Sequence, residues 1–296
     1  MNLIIILRTL RPSFLVLTPA CVLLGISTAL SVQPQINFGL AVLVLVGAVL
    51  AHASVNMLNE YVDFKSGLDF KTNKTKFSGG SGALPSHPEM AGWVLTSAIG
   101  ALLTTIIIGL YIIFERGLII LPIGLAGVVV ILTYTPWLNR IPWLGLVASG
   151  SGFGLLMVVG THVVLTGKYS QLAWLVSLVP FFLVNNLLLL NQYPDLQADA
   201  SVGRKTFPVS FGMQTSNIVY AVFMLAAYGL ILLLVTMGSI PRLSIIAVIP
   251  MGFSLFALRG AIKYKSHIGE VPKYLAANVV AAILTPLLLG VIVLLG

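Results

Sequence analysis

The chain has 296 residues, of which 58% are hydrophobic and 8% charged, with a formal net charge of +8. Ordinary soluble domains carry roughly 25% charged residues, so a soluble globular fold is excluded, and the recurring apolar stretches of about 20 residues read as membrane-spanning helices. No nucleic-acid motif accompanies the positive charge, and in a membrane protein such an excess marks cytoplasmic loops.

The expected fold is an all-α integral membrane protein: a bundle of about nine transmembrane helices, forming one domain over residues 1–296. Hydropathy predicts spans at about 14–33, 38–58, 92–113, 118–136, 144–165, 171–190, 214–237, 243–259 and 274–295. Arg8 and Arg11 precede the first apolar stretch as in a signal peptide, but that stretch is long enough to span and is expected to be retained. Cys21, in the same stretch, is the only cysteine, so neither an intrachain disulfide nor a cysteine zinc cluster exists. The long linkers 59–91, 191–213 and 260–273 fall on one side. Thirteen of the sixteen Lys and Arg residues gather there, and only Arg116, Lys168 and Arg242 lie on the other. The positive-inside rule places the N-terminus and the long loops in the cytoplasm, with the chain in the cell membrane.

The second span closes on Asn59-Glu60-Tyr61-Val62-Asp63, and Asp69 follows. His52, Asn56, Asn59 and Asp63 are spaced 4, 3 and 4 and share one helical face. Polar groups in a membrane helix turn toward the bundle interior or a water-filled cavity. Asp69 lies about 240° further round an ideal helix than Asp63. It joins the same site only if the helix ends first, and Gly67 allows that break. Lys71, Lys74 and Lys76 come next, then Ser78-Gly79-Gly80-Ser81-Gly82. The backbone N–H groups of such a loop can approach an anion; the loop reads equally as a flexible lid.

Tyr134, Asn139 and Arg140 sit where the fourth span returns to the motif side. Arg140 either holds an anionic substrate group or anchors the helix end at the interface. Trp137 and Trp143 fit an interfacial aromatic belt. His87 reads as a solvated loop residue and His162 as a hydrogen-bonded structural one.

The sixth span closes on Asn191-Gln192-Tyr193-Pro194-Asp195, and Asp199 follows. Asn191, Asp195 and Asp199, spaced 4 and 4, lie on one helical stripe, which Pro194 should kink or interrupt. Asn185 and Asn186, inside the apolar run, need partners. Gly203, Arg204 and Lys205 come next. The two motifs lie 132 residues apart with four predicted spans between them, so they return to the same face as a parallel repeat; an inverted repeat needs an odd offset. All four aspartates of the chain belong to these motifs. The motifs are read as converging on one metal and diphosphate site. Carboxylate and amide oxygens suit a hard cation such as Mg2+, which uses one or two carboxylates plus phosphate oxygens and water. The lack of cysteine clusters and paired histidines argues against zinc or copper. The adjacent cations suit a diphosphate, or simply follow the basic bias of that side.

On these motifs the sequence resembles the UbiA superfamily of intramembrane prenyltransferases. Asn59 to Asp63 with Asp69 is similar to the family's first aspartate-rich motif, and Asn191, Asp195 and Asp199 with Gly203-Arg204-Lys205-Thr206 to its second. The gap of six between Asp63 and Asp69 departs from the commoner spacing of four. That variant, the following Gly-rich segment and Arg11-Pro12 resemble the branch that prenylates 1,4-dihydroxy-2-naphthoate in menaquinone synthesis. The resemblance leaves 4-hydroxybenzoate, chlorophyll-type and glycerol-phosphate acceptors open. It implies a polyprenyl diphosphate donor, an aromatic acceptor and a membrane-lipid environment. It implies Mg2+ held by Asn59, Asp63, Asp69, Asn191, Asp195 and Asp199, with Asp63, Asp195 and Lys205 as catalytic residues. Arg11, Lys71, Tyr134, Arg140, Arg204 and Lys205 are the implied substrate-binding residues. The competing class is a secondary transporter with intramembrane acids as ion relays, but these acids lie at one face rather than at the midplane. A non-catalytic scaffold gives no reason for two matched acidic motifs.

Overall fold

The computed structural model describes residues 2–72, 74–75 and 77–296, and no strand occurs among them. Among the described residues, eight helical segments are long and apolar enough to cross a membrane. They are α1 (Pro12–Leu30), α2 (Phe38–Lys65), α3 (Pro88–Arg116), α5 (Pro142–Thr166), α6 (Gln171–Asn191), α7 (Phe207–Thr236), α8 (Arg242–Glu270) and α9 (Lys273–Leu295). The predicted fourth span is a shorter apolar segment, α4 (Leu118–Thr133), so the bundle of nine holds with one member short. A short helix, Asn2–Thr9, precedes α1.

Sequence neighbours pack as antiparallel pairs. α2 lies along α3, α6 along α7 and α8 along α9, and α9 closes the bundle against α1. Lipid tails are as apolar as leucine, so small residues and buried hydrogen bonds hold such helices together. Ser27 Oγ on α1 donates to the Gly290 carbonyl on α9 at 2.7 Å. A Cβ at Gly150 would stand 2.2 Å from the Phe181 carbonyl oxygen, so α5 meets α6 backbone to backbone there. Each of the two side-chain amides in the apolar run of α6 has one of its polar atoms paired. Asn185 Oδ1 accepts from the Gly150 N–H at 2.6 Å, and Asn186 Nδ2 donates to the Tyr220 carbonyl at 2.9 Å. His162 is bound to Thr28 Oγ1 at 3.0 Å, the structural role its position suggested.

Two features position the site. The 28 residues of α2 make a rod roughly 42 Å long at 1.5 Å per residue. That exceeds a hydrocarbon core of about 30 Å, so the first motif continues the helix past the apolar layer. Second, α5 carries a nine-residue π-helical stretch, Ser151–Val159. The wider turn, a form that collects at functional sites, sets Phe153, Leu156 and Met157 along an internal cavity.

Candidate functional site

The first motif is helical until its last acid has been placed. Asn59 Nδ2 donates to Asp63 Oδ2 at 3.0 Å, one turn on, and reaches Thr135 Oγ1 at 3.4 Å. The helix then stops at Lys65, and Gly67 takes the left-handed conformation at φ 76°. A single 3₁₀ turn, Leu68–Phe70, follows and turns Asp69 back toward the glycine-rich loop. Gly80 sits in the middle of this convergence with φ +70°. A Cβ there would lie 3.0 Å from Asp69 Oδ1, 3.4 Å from Glu60 Oε1 and 3.6 Å from Arg11 Nη2. Close approach and positive φ together call for glycine.

The second motif does not form one straight stripe. α6 ends at Asn191, a turn containing Pro194 intervenes, and a short helix Leu196–Ser201 carries Asp199. Proline lacks the N–H that would continue the helix. The break moves Asp195 to the cap of the short helix, where its Oδ2 accepts from the Gly79 N–H at 3.0 Å. Gly203, at φ 74°, then reverses the chain, and the Arg204 N–H returns to the Asp199 carbonyl at 3.0 Å. The Arg204 guanidinium pairs with Asp63 of the first motif and, at 3.5 Å, with Asp199 of the second. The two motifs therefore meet, and Arg204 and Gly79 are the contacts that join them.

Glu60, inside the first motif, is a member of the cluster that the sequence reading passed over. It is 1% exposed and makes four contacts. Its Oε1 accepts from Arg11 Nε at 2.9 Å, from Arg11 Nη2 at 2.8 Å and from the Ser81 N–H at 2.7 Å. Its Oε2 accepts from Ser81 Oγ at 2.6 Å. Glu60 thus fastens the glycine-rich loop and Arg11 to the end of α2. Arg11 has φ 51°, a conformation uncommon outside glycine that points to functional constraint. The signal available in the sequence was an acid beside Asn59 in a chain with only eight acids.

From this polar end a cavity of about 360 Å³ runs into the bundle. Arg11, His52, Asn56, Asn59, Tyr134 and Asn191 line its polar end. Further in, the walls are apolar residues of α2 to α6, among them Ile108, Ile123, Ile131, Leu156 and Met157. Gly124, Gly127 and Gly152 also line it, and a Cβ at each would meet nothing within 4 Å.

Lys71, Arg140 and Lys205 are exposed and are not drawn into the cluster; the basic group between the acids is Arg204, not Lys205. Tyr134 lines the cavity and accepts a hydrogen bond from Ser149 Oγ at 3.3 Å. Lys76 lies outside the described residues.

Three acids outside the spans are held protonated beyond the usual carboxylate range. Burial, with the charges of Glu60 and Asp63 added, pushes Asp69 up to about 8. Burial and the charge of Asp199 push Asp195 up to about 7, against the Gly79 hydrogen bond. Burial pushes Asp199 up to about 6, against the pull of Arg204. Buried acids with raised pKa at one end of a cavity mark a site where cations are wanted.

A divalent hard cation fits this donor set. Asp69 Oδ2, Asn191 Oδ1 and Asp195 Oδ1 are buried acceptor oxygens that receive no hydrogen bond. Among the described residues no three His, Cys, Asp or Glu side chains already gather at ligating distance. Mg2+ does not require three, because it completes its shell with phosphate oxygens and water.

A family model described as the UbiA prenyltransferase family matches residues 17–280. The chain is 27% identical over 231 residues to a 1,4-dihydroxy-2-naphthoate octaprenyltransferase of Bacillus subtilis, covering 77% of this chain and 73% of the relative. It is 29% identical over 241 residues to UbiA prenyltransferase domain-containing protein 1 of Danio rerio, covering 81% of this chain and 70% of the relative. Among solved structures it resembles a UbiA homolog from Archaeoglobus fulgidus bound to GPP and Mg2+, with TM-score 0.66 and 16% identity, covering 99% of this chain and all of that one.

Proposed function

From membership of the UbiA prenyltransferase family, to which this chain belongs, we propose a specific reaction: transfer of a polyprenyl group from a polyprenyl diphosphate to 1,4-dihydroxy-2-naphthoate, a step of menaquinone synthesis in the cell membrane, with the site facing the cytoplasm. The observation that carries it is the junction of a cluster of acids and arginines with a long, mostly apolar cavity whose polar end is lined by Arg11, Asn59 and Asn191. One end suits a diphosphate with its cations and the other an isoprenoid tail. The names of the curated naphthoate octaprenyltransferase relatives favour this acceptor over 4-hydroxybenzoate.

Asp63, Asp69, Asp195 and Asp199, with Asn59 and Asn191, would hold Mg2+. Bound there, it would neutralise charge building on the leaving diphosphate. Arg204 and the Gly79 N–H, which here bind the carboxylates, are the donors that would serve the departing oxygens. The carbon–oxygen bond of the donor breaks and the diphosphate leaves with the electron pair. The allylic cation is attacked by the electron-rich ring carbon that bears the carboxylate. A carbon–carbon bond forms, the carboxylate departs as carbon dioxide, and its electron pair restores the aromatic ring. The apolar cavity walls exclude the water that would otherwise trap the cation.

The test uses purified protein in lipid nanodiscs with Mg2+ and geranylgeranyl diphosphate. Dihydroxynaphthoate and 4-hydroxybenzoate are offered in parallel, and product is followed by mass spectrometry. Prenylated naphthol product from the naphthoate alone is the expected result. Product from the benzoate alone overturns the acceptor assignment and leaves the transferase standing.

A further inference from the structure

Beside the catalytic cluster, and separate from the tail cavity, lies a second pocket of about 280 Å³ between the N-terminal helix and the glycine-rich loop. Its lining combines Arg8 and Lys74 with Phe14, Phe77 and Ser78. Arg8 Nη2 donates to the Ser81 carbonyl at 3.3 Å, and Lys74 Nζ donates to the same oxygen. Two cations thus share one neutral acceptor, and among the described residues neither has a carboxylate partner. Like charges this close are unfavourable without an anion between them. Burial and the charge of Arg8 hold the Lys74 ammonium below its ordinary value, against the opposing pull of Glu60 and Asp69. Arg11, the third cation of the pocket, is already committed to Glu60.

We propose that this pocket seats the acceptor, with Arg8 and Lys74 binding its carboxylate and Phe14 and Phe77 flanking its ring. The inference rests on the reading that the acceptor is an aromatic carboxylic acid. Arg11 and Phe14 line both this pocket and the tail cavity, so a ring held here lies beside the end of the cavity where the allylic carbon emerges. Arg140, the other basic residue considered for this task, lines neither cavity. The pocket also distinguishes substrate from product. Once carbon dioxide has left, the product carries no carboxylate, and the two cations lose the group they recognise.

An anion in this pocket has two other sources, a lipid headgroup phosphate and the diphosphate of donor or product. Steady-state kinetics of wild type, Arg8→Gln, Lys74→Gln, the double variant and Arg8→Lys separate them. Measurements use nanodiscs of phosphatidylcholine with and without anionic lipid. The expected result is an acceptor KM raised tenfold or more in the Gln variants and largely recovered in Arg8→Lys. The donor KM should stay within twofold, which also serves as the check on folding. Inhibition by neutral 1,4-dihydroxynaphthalene, which lacks the carboxylate, should be unchanged. A raised donor KM or altered inhibition by free diphosphate assigns the cations to diphosphate and overturns the proposal. Wild-type dependence on anionic lipid that the Gln variants lose, with acceptor KM unmoved, assigns them to lipid and also overturns it. Failure of wild type to use any carboxylate-bearing acceptor refutes the functional reading itself, before any variant is compared.

Discussion

Removing Arg204 tests whether a bound cation takes over the task this guanidinium performs. Arg204 joins Asp63 and Asp199, whose side chains are 8% and 4% exposed, while its own is 14% exposed. At an effective dielectric constant of 20, two unit charges 3.5 Å apart attract by about 5 kcal/mol before desolvation is counted. Stripping one partner from such a buried pair costs about 3–5 kcal/mol, because the remaining charge stays buried and unpaired. In a chain of this size that corresponds to a fall in thermal midpoint on the order of 10 °C. Arg204→Gln should show that loss in EDTA at pH 8, measured at one fixed scan rate in detergent. Adding Mg2+ with geranylgeranyl diphosphate should recover most of it, since the cation satisfies the stranded acids. Transfer should nevertheless stay roughly 100-fold or more below wild type, the scale of losing one preorganised donor to a leaving group. An equal loss of midpoint with and without the ligands would refute the reasoning, for Arg204 would then be a structural strut only.

Asp63→Ala and Asp195→Ala should each abolish transfer while the protein still inserts and elutes as wild type; full activity in either would contradict a shared site. The Mg2+ concentration for half-maximal activity should fall as pH rises from about 6 to about 8. Asp199, Asp195 and Asp69 have raised pKa values of about 6, 7 and 8, so a cation must displace protons below those values and competes better above them. A flat Mg2+ requirement across that window would count against these acids as ligands. Gly127→Phe should block long tails, because this glycine lines the cavity and a Cβ there meets open space. Geranyl diphosphate should remain a donor while longer ones fail, read as product chain length; an unchanged length preference would remove this wall from the tail path.

The spans were legible because hydropathy alone fixes which stretches leave water. Their ends were less so: α2 runs on to Lys65, past the last strongly apolar residues, because a helix needs no apolar side chains once outside the hydrocarbon layer. The pairing of motifs was legible from the even number of crossings between them. The division of labour among cations was not. Arg204 and Lys205 are adjacent, and only the reversal at Gly203 turns the guanidinium toward Asp63 and leaves the ammonium exposed. Glu60 escaped notice for a related reason. Its position one residue from Asn59 puts it about 100° round the helix, off the face that carried the motif, and its partners Arg11 and Ser81 are distant in sequence.

The charge of the site explains why its own contacts look as they do. Among the described residues, only Arg11 and Arg204 form ion pairs within the cluster of Glu60, Asp63, Asp69, Asp195 and Asp199. Fully ionised, five acids against two guanidiniums leave three negative charges in a buried pocket. The chain disperses that charge in three ways. Arg204 spans two acids, the Gly79 N–H is lent to Asp195, and protons are retained on Asp69 and Asp195 near neutral pH. A polyanionic diphosphate cannot enter such a pocket alone, since it would add charge of the same sign. On the proposed function it would need divalent cations with it, and those cations would displace the retained protons and release the internal donors. Arg204 and the Gly79 N–H would then be available to the leaving group. On the proposed function, the contacts that Arg204 and Gly79 make with the carboxylates are those the leaving group would take over, and cation loading and catalytic competence would be one event.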